Sequence, residues 1–200
     1  MSARKEEIIE GLIGYLFEHG PAGLSLRPMA SSIGTSARLL IFHFGSKDGL
    51  MVEVLEEVQS RLQRSLSGFI GLPLQAGRPA PLRLFWDWAI ADSNLPYLRL
   101  MYELQMLAAK KPKQFGKLLK LNSMSWLDLV RAALPQSLRS AHAVTLFCGV
   151  FDGLFLEFLL TGDRERTTRA LDLFIEMGRK LAVSENQSRV SAKTRRKRPA

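Results

Sequence analysis

Cysteine is almost missing from this 200-residue chain. Cys148 stands alone, so no internal disulfide can form and nothing points to an oxidising compartment. Histidine is scarce as well: His19, His43 and His142 show no ligand spacing, so no metal centre and no cofactor is expected. Long apolar runs are lacking. The longest, 143–160, is interrupted by Asp152 and Glu157, which suits a buried helix better than a membrane span. The first ten residues are charged and hold no apolar stretch of the kind that begins a secretory signal. The expectation is therefore a soluble, cytoplasmic protein with no membrane partner. The β-branched alternation of strands is absent. So are a Ser–His–Asp arrangement, a phosphate-cradling glycine loop and paired carboxylates in an evident cleft, and an enzyme is not the expected reading.

What the chain does have is enough apolar material for a core, at 46% apolar and 24% charged, and an excess of positive charge, +9 in all. The excess is unevenly placed. Residues 1–50 and 51–100 are each neutral, residues 151–183 are slightly acidic, and residues 101–150 and 184–200 each carry +5. The last 17 residues end Lys193-Thr194-Arg195-Arg196-Lys197-Arg198, and Val190 is their one aliphatic side chain larger than alanine. Such a stretch cannot bury enough surface to fold, so a disordered basic tail is expected, with attraction for phosphates or a merely solubilising role.

Helical periodicity covers the rest. Ile9, Leu12, Ile13 and Leu16 mark a helix over 4–19, stopped by Gly20-Pro21-Ala22-Gly23. Ser25 is read as the N-cap of a short helix over 26–33, with Pro28 in its first turn and Gly34 at its end. Ser36 caps a second short helix over 37–44, and Ser46 caps a long one over 47–70. A Pro- and Gly-rich loop is expected over 71–81. Helices over 81–92, 95–110, 112–134, 137–160 and 164–182 follow, the fourth of them apolar nearly all round.

Two short helices joined by a glycine turn, inside a three-helix unit, form a helix-turn-helix. The first must pack through Leu26, Met29, Ala30 and Ile33, and the second through Leu40 and Phe44. Gly34 supplies the positive φ of the turn. Ser36, Ala37, Arg38 and Leu39 place small and hydrogen-bonding groups where the second helix meets base edges.

The runs Leu24-Ser25-Leu26-Arg27-Pro28-Met29-Ala30, Ile33-Gly34-Thr35-Ser36 and Leu40-Ile41-Phe42-His43-Phe44-Gly45-Ser46-Lys47-Asp48-Gly49-Leu50 closely resemble the tetracycline-repressor family of bacterial transcriptional regulators. The resemblance covers roughly residues 4–50. It implies DNA contacts from Ser25, Arg27, Ser36, Ala37, Arg38, Leu39, Ile41, Phe42, His43 and Lys47, with His43 and Lys47 at phosphate-contacting positions. The chain departs from the family at Ile41, where a hydroxyl-bearing tyrosine is usual, at Arg38, at Pro28, and at Gly11, usually alanine.

The resemblance further implies an all-α architecture: a DNA-binding domain over 1–50, a helical effector-binding and dimerisation domain over 51–183, and the tail over 184–200. It implies a homodimer on a double-stranded DNA operator, released by a small-molecule effector. Candidate dimer residues are Phe147, Val150, Gly153, Leu154, Phe158, Leu171, Phe174 and Ile175, with Gly149 and Gly153 spaced for close backbone approach. Aromatic and methionine side chains in the middle helices suit a lipophilic or aromatic effector, with Trp88, Met101, Tyr102, Gln105 and Trp126 as candidate wall residues. A nonspecific architectural DNA binder is the alternative, and a helical enzyme acting on small molecules a more distant one.

Overall fold

A computed structural model describes residues 3–21, 25–67, 80–113, 115, 126–132, 134 and 136–196, the side chains at 137 and beyond 180 excepted. Every regular element among the described residues is helical, the all-α class expected. The order is α1 (Ala3–His19), α2 (Leu26–Ser32), α3 (Ala37–Phe44), α4 (Lys47–Ser67), α5 (Pro81–Ala89) and α6 (Leu95–Ala109). A helical stretch at 126–132 and a 3-10 turn, Gln136–Leu138, precede α7 (Ala141–Thr161) and α8 (Arg164–Arg196). The chain divides into two compact units, Met1–Gly68 with Trp88–Ser125 and Phe69–Asp87 with Trp126–Ala200.

The first unit is built on the apolar stripe of α1. Ile8, Ile9, Leu12, Ile13 and Leu16 are all buried where α1 packs on α2, α4 and α6, and Met29 and Ala30 of α2, Leu40 and Phe44 of α3, and Leu50, Val54 and Val58 of α4 are buried in the same unit. Two glycines permit the close packing. A Cβ on Gly11 would stand 2.8 Å from Ile33 Cγ2, which explains the departure from alanine there. A Cβ on Gly49 would run into the carbonyl oxygen of Phe44. Ion pairs tie the helices at their edges: Lys5 to Glu53 at 2.6 Å, Arg61 to Glu57 at 2.8 Å and also to Glu10, and Lys111 to Asp48 at 2.9 Å. These lie at the surface, where each contributes roughly 0–1 kcal/mol.

The second unit packs the start of α5 on α7 and α8. Trp86 is fully buried, 5.6 Å from the Phe151 ring, and its indole N–H donates to Thr168 Oγ1 at 2.9 Å. Arg83 reaches Asp87 at 3.0 Å and Asp172 at 2.7 Å, and both carboxylates raise its pKa. Gly162 ends α7 with a left-handed φ of +69°. Asp163 then caps α8 by accepting from the Arg166 N–H at 3.0 Å, a bond that lowers the carboxyl pKa.

Among the described residues, three boundaries differ from expectation by more than one residue. α5 stops at Ala89 rather than 92, because the Asn94 side-chain amide donates to the Trp88 carbonyl at 2.9 Å and turns the chain. α7 begins at Ala141 rather than 137. Ser140 is its N-cap, accepting from Ala143 N–H at 3.2 Å. The last helix continues to Arg196, through most of the stretch expected to be disordered. No glycine or proline occurs between 179 and 198, so nothing in the local sequence breaks the helix that α8 has already nucleated. The loop expected at 71–81 lies almost wholly outside the described residues, as does most of the helix expected at 112–134.

The glycine geometry yields a paired prediction. Gly49→Ala lowers stability by about 1–3 kcal/mol through overpacking. Gly14→Ala, where no atom lies within 4 Å, raises it by up to about 1 kcal/mol through helix propensity. Thermal melts of the two variants check this, and the reverse order would remove crowding as the reason for Gly49.

Candidate nucleic-acid interface

The turn between α2 and α3 is made by backbone alone. Gly34 adopts φ +64°, its N–H donates to Ser31 O at 3.2 Å, and Thr35 N–H donates to Ala30 O at 2.8 Å. The Ser36 hydroxyl then accepts from Leu39 N–H at 3.2 Å and caps α3, as the sequence predicts. Gly45 ends α3 with φ +72°, and the Ser46 hydroxyl accepts from Gly49 N–H at 2.9 Å, capping α4. Ser25 behaves differently. Its backbone is extended as an N-cap requires, yet its hydroxyl makes no capping bond.

Between these punctuation marks α3 has two faces. Leu40 and Phe44 point inward and are buried, the latter under the Lys5 ammonium 5.2 Å from its ring centroid. Arg38, Ile41 and Phe42 occupy the outward face, at the i, i+3, i+4 spacing that aligns side chains on one side of a helix. Ile41 is 39% exposed and Phe42 79%. Ala37, Leu39 and His43 are half-buried at the flanks, and the His43 ring contacts both Phe42 at 5.3 Å and Phe44 at 6.2 Å. Ser25 and Arg27 are exposed around the start of α2, and Lys47 is half-buried at the start of α4. Among the described residues neither Arg27 nor Arg38 has a hydrogen bond or ion pair, so both guanidiniums are available to an anionic partner. The surface thus offers fork-shaped cations, hydroxyls and an apolar ridge on a helix of eight residues.

The candidate effector residues fall in both units. Trp88 and Met101 are buried in the first unit, where the Trp88 indole N–H donates to Ser65 Oγ at 2.9 Å, and Tyr102 and Gln105 are half-buried there. Trp126 belongs to the second unit, 5.7 Å from the Phe85 ring, and its indole N–H is buried without an acceptor among the described residues. A groove of about 380 Å³ in the first unit, between Phe17 of α1 and Leu95, Arg99 and Glu103 of α6, is lined by none of the five.

The candidate dimer residues divide. Phe147, Phe158, Leu171 and Ile175 are buried within the second unit and serve its own core. Val150, Leu154 and Phe174 are half-buried, and Gly153 is exposed. The outward apolar residues of α7 and α8 are instead Leu146, Leu156, Leu160, Leu173 and Met177, each more than half exposed. Gly149 and Gly153 lie beside them with no atom within 4 Å of where a Cβ would stand. Helix α7 is apolar on every side, so periodicity alone could not tell its inner from its outer face. Cys148 is a poor nucleophile. Burial and nearby Asp152 push its thiol up to about 11.

Residues 8–54 match the family model of bacterial regulatory proteins, tetR family. Solved structures share the fold along most of the chain. A tetR-family member from Streptomyces coelicolor A3 is 26% identical, with a TM-score of 0.63 over 86% of this chain and 97% of that one. The multidrug binding protein EbrR complexed with ethidium is 25% identical, with a TM-score of 0.64 over 85% and 96%. A transcriptional regulator from Rhodococcus sp. Rha1 is 21% identical, with a TM-score of 0.69 over 86% and 94%. No curated protein matches the chain closely in sequence.

The two serines separate cap from contact. Ser36→Ala costs about 1 kcal/mol of stability, whereas Ser25→Ala, which removes no cap bond, leaves the melt unchanged. Equal shifts for the two would show that the Ser36 hydroxyl does not hold α3.

Proposed function

We propose, for a chain whose residues 8–54 match the family model of bacterial regulatory proteins, tetR family, that it is a ligand-responsive repressor of transcription. It acts as a homodimer on a palindromic operator and is released by a small lipophilic or aromatic effector. DNA-binding regulation of transcription is what the family does. The observation that carries the reading to this chain is the outward face of α3, with Arg38 unpaired among the described residues and the helix capped at both ends.

Arg38 stands in the first turn of the recognition helix, where arginine pairs bidentately with guanine O6 and N7. Arg27, Ser25, His43 and Lys47 flank it as backbone contacts that set register, Lys47 being at the start of α4, where the helix dipole favours a phosphate oxygen. The DNA-reading segment is residues 1–50, neutral overall, so recognition rests on where these cations stand. The tail, residues 184–200, adds sequence-independent attraction. A nonspecific binder would owe its affinity to that tail and to the lysines near 110–120, and would bind all sequences alike.

Dimerisation is assigned to the exposed apolar face of α7 and α8, centred on Gly149, Gly153, Leu156 and Leu160, with Leu173 and Met177 beside it. A twofold axis there presents two copies of α3 to half-sites about 34–36 Å apart or somewhat more. Effector binding lowers operator affinity by favouring a spacing that fits the DNA less well, a coupling of about 1–3 kcal/mol. The effector's chemistry is read from the aromatic middle of residues 51–183. The buried, unpartnered Trp126 indole N–H offers it a hydrogen bond, and EbrR, similar in fold, binds ethidium.

Two measurements test this reading. Mobility shift with a selected palindrome against excess random duplex shows sequence preference, and Arg38→Ala weakens the preferred site by about 1–3 kcal/mol and relaxes one base pair. No loss would leave Arg38 a solvated side chain. Gly153→Leu, which meets open space in the single chain, converts dimer to monomer in sedimentation without lowering helix content. A variant that stays dimeric would move the interface elsewhere.

A further inference from the structure

The outward face of α3 carries two apolar side chains beside Arg38, and neither can bond a phosphate. Phe42 is 79% exposed and Ile41 39%. An aromatic left so far in water on a helix that is otherwise well packed has unburied area to lose when a partner arrives. DNA offers few apolar groups. Along the major-groove floor the one apolar substituent on a base edge is the thymine 5-methyl. We propose that Phe42 reads a thymine methyl group and that, with Arg38, it makes each half-site a guanine and a thymine in fixed register. This rests on the reading of α3 as the recognition helix and adds the chemistry of its specificity.

The register follows from geometry. Arg38 and Phe42 are four residues apart, so their Cα atoms are separated by about 6 Å along the helix axis at 1.5 Å per residue. Successive base pairs are about 3.4 Å apart. A helix lying along the groove therefore places the methyl one to two base pairs from the guanine. Phe42 is also held in place before binding. Its ring packs edge-on against His43, with centroids 5.3 Å apart and planes at 76°. His43 in turn contacts the buried Phe44 ring at 6.2 Å. Ile41 covers the neighbouring flank with a second apolar group where a hydroxyl would bond the DNA backbone. The neutral charge of residues 1–50 fits this division of labour, in which part of the readout is apolar.

The test uses the full-length protein and a duplex selected from a random library. Each thymine of the selected site is replaced in turn by deoxyuridine, which keeps every hydrogen-bonding group and removes only the methyl. For the wild type, one thymine in each half-site is sensitive. Its replacement weakens binding about fourfold, the loss of about 0.8 kcal/mol expected for one buried carbon at 1.4 kcal/mol per tenfold, and about sixteenfold when both half-sites are changed. Phe42→Ala binds the thymine site correspondingly more weakly and no longer distinguishes deoxyuridine at that position, while Phe42→Leu keeps part of the discrimination. Because Phe42 is exposed, Phe42→Ala melts as the wild type does. Sequence-selective binding with no deoxyuridine-sensitive position overturns the proposal, as does a methyl effect that survives in Phe42→Ala. A library that yields no preferred sequence overturns instead the reading of the chain as a sequence-specific regulator.

Discussion

An eight-residue helix has no stability of its own in water, where even favourable sequences need about 12–15 residues. Helix α3 exists because Leu40 and Phe44 are buried against the first unit's core. Everything else in the N-terminal region follows from that requirement. The stripe of α1 supplies a surface for α2 and α4, Gly11 lets α2 come close, α2 and α4 between them seat α3, and Gly49 lets the first turn of α4 press on the carbonyl that ends α3. Ser36 then satisfies a backbone N–H group that so short a helix would otherwise leave to solvent, and Ser46 does the same at the start of α4. Lys5 serves twice, over the Phe44 ring and on Glu53, so a single side chain of α1 holds both α3 and α4.

The same constraint separates holding from reading. The groups that anchor α3 are inward or on its flanks, and the groups that face outward contribute little to its stability. Net charge therefore misleads as a guide to this protein. Its excess lies near 101–150 and in the last 17 residues, while residues 1–50, which hold the surface proposed to read DNA, are neutral in bulk, and that proposal rests on the positions of Arg27, Arg38, His43 and Lys47. In the second unit the balance is reversed. There α7 is apolar all round, and the unit's own core takes only some of its sides, leaving Leu146, Leu156 and Leu160 outward.

Local chemistry was the legible part of the sequence. Gly34, Ser36 and Ser46 each stand where a turn or cap is needed, and Leu40 and Phe44 carry the helical spacing that buries them. Gly11 and Gly49 are weaker signals. A glycine inside a helical pattern suggests a packing reason but does not name the neighbour. Long-range choices were less legible. Periodicity could not divide the apolar residues of α7 and α8 between the unit's own core and an outer face, so Phe147, Phe158, Leu171 and Ile175 read as interface though they are interior. Composition likewise suggested that the final residues leave the helix. Propensity and an unbroken run without glycine or proline carry it on to Arg196. The five candidate effector residues share aromatic or flexible chemistry, and chemistry alone names no common cavity for them.

The two-faced build of α3 makes it, in effect, an exchangeable cartridge. Its start is fixed by a side-chain cap, its end by a glycine with φ +72°, and its seat by Leu40 and Phe44. Substitutions at Arg38, Ile41 and Phe42 meet none of those constraints and leave folding almost untouched. Drift at three codons can therefore change the chemistry of this outward face without passing through an unfolded ancestor, and a designer can rewrite the face by the same route.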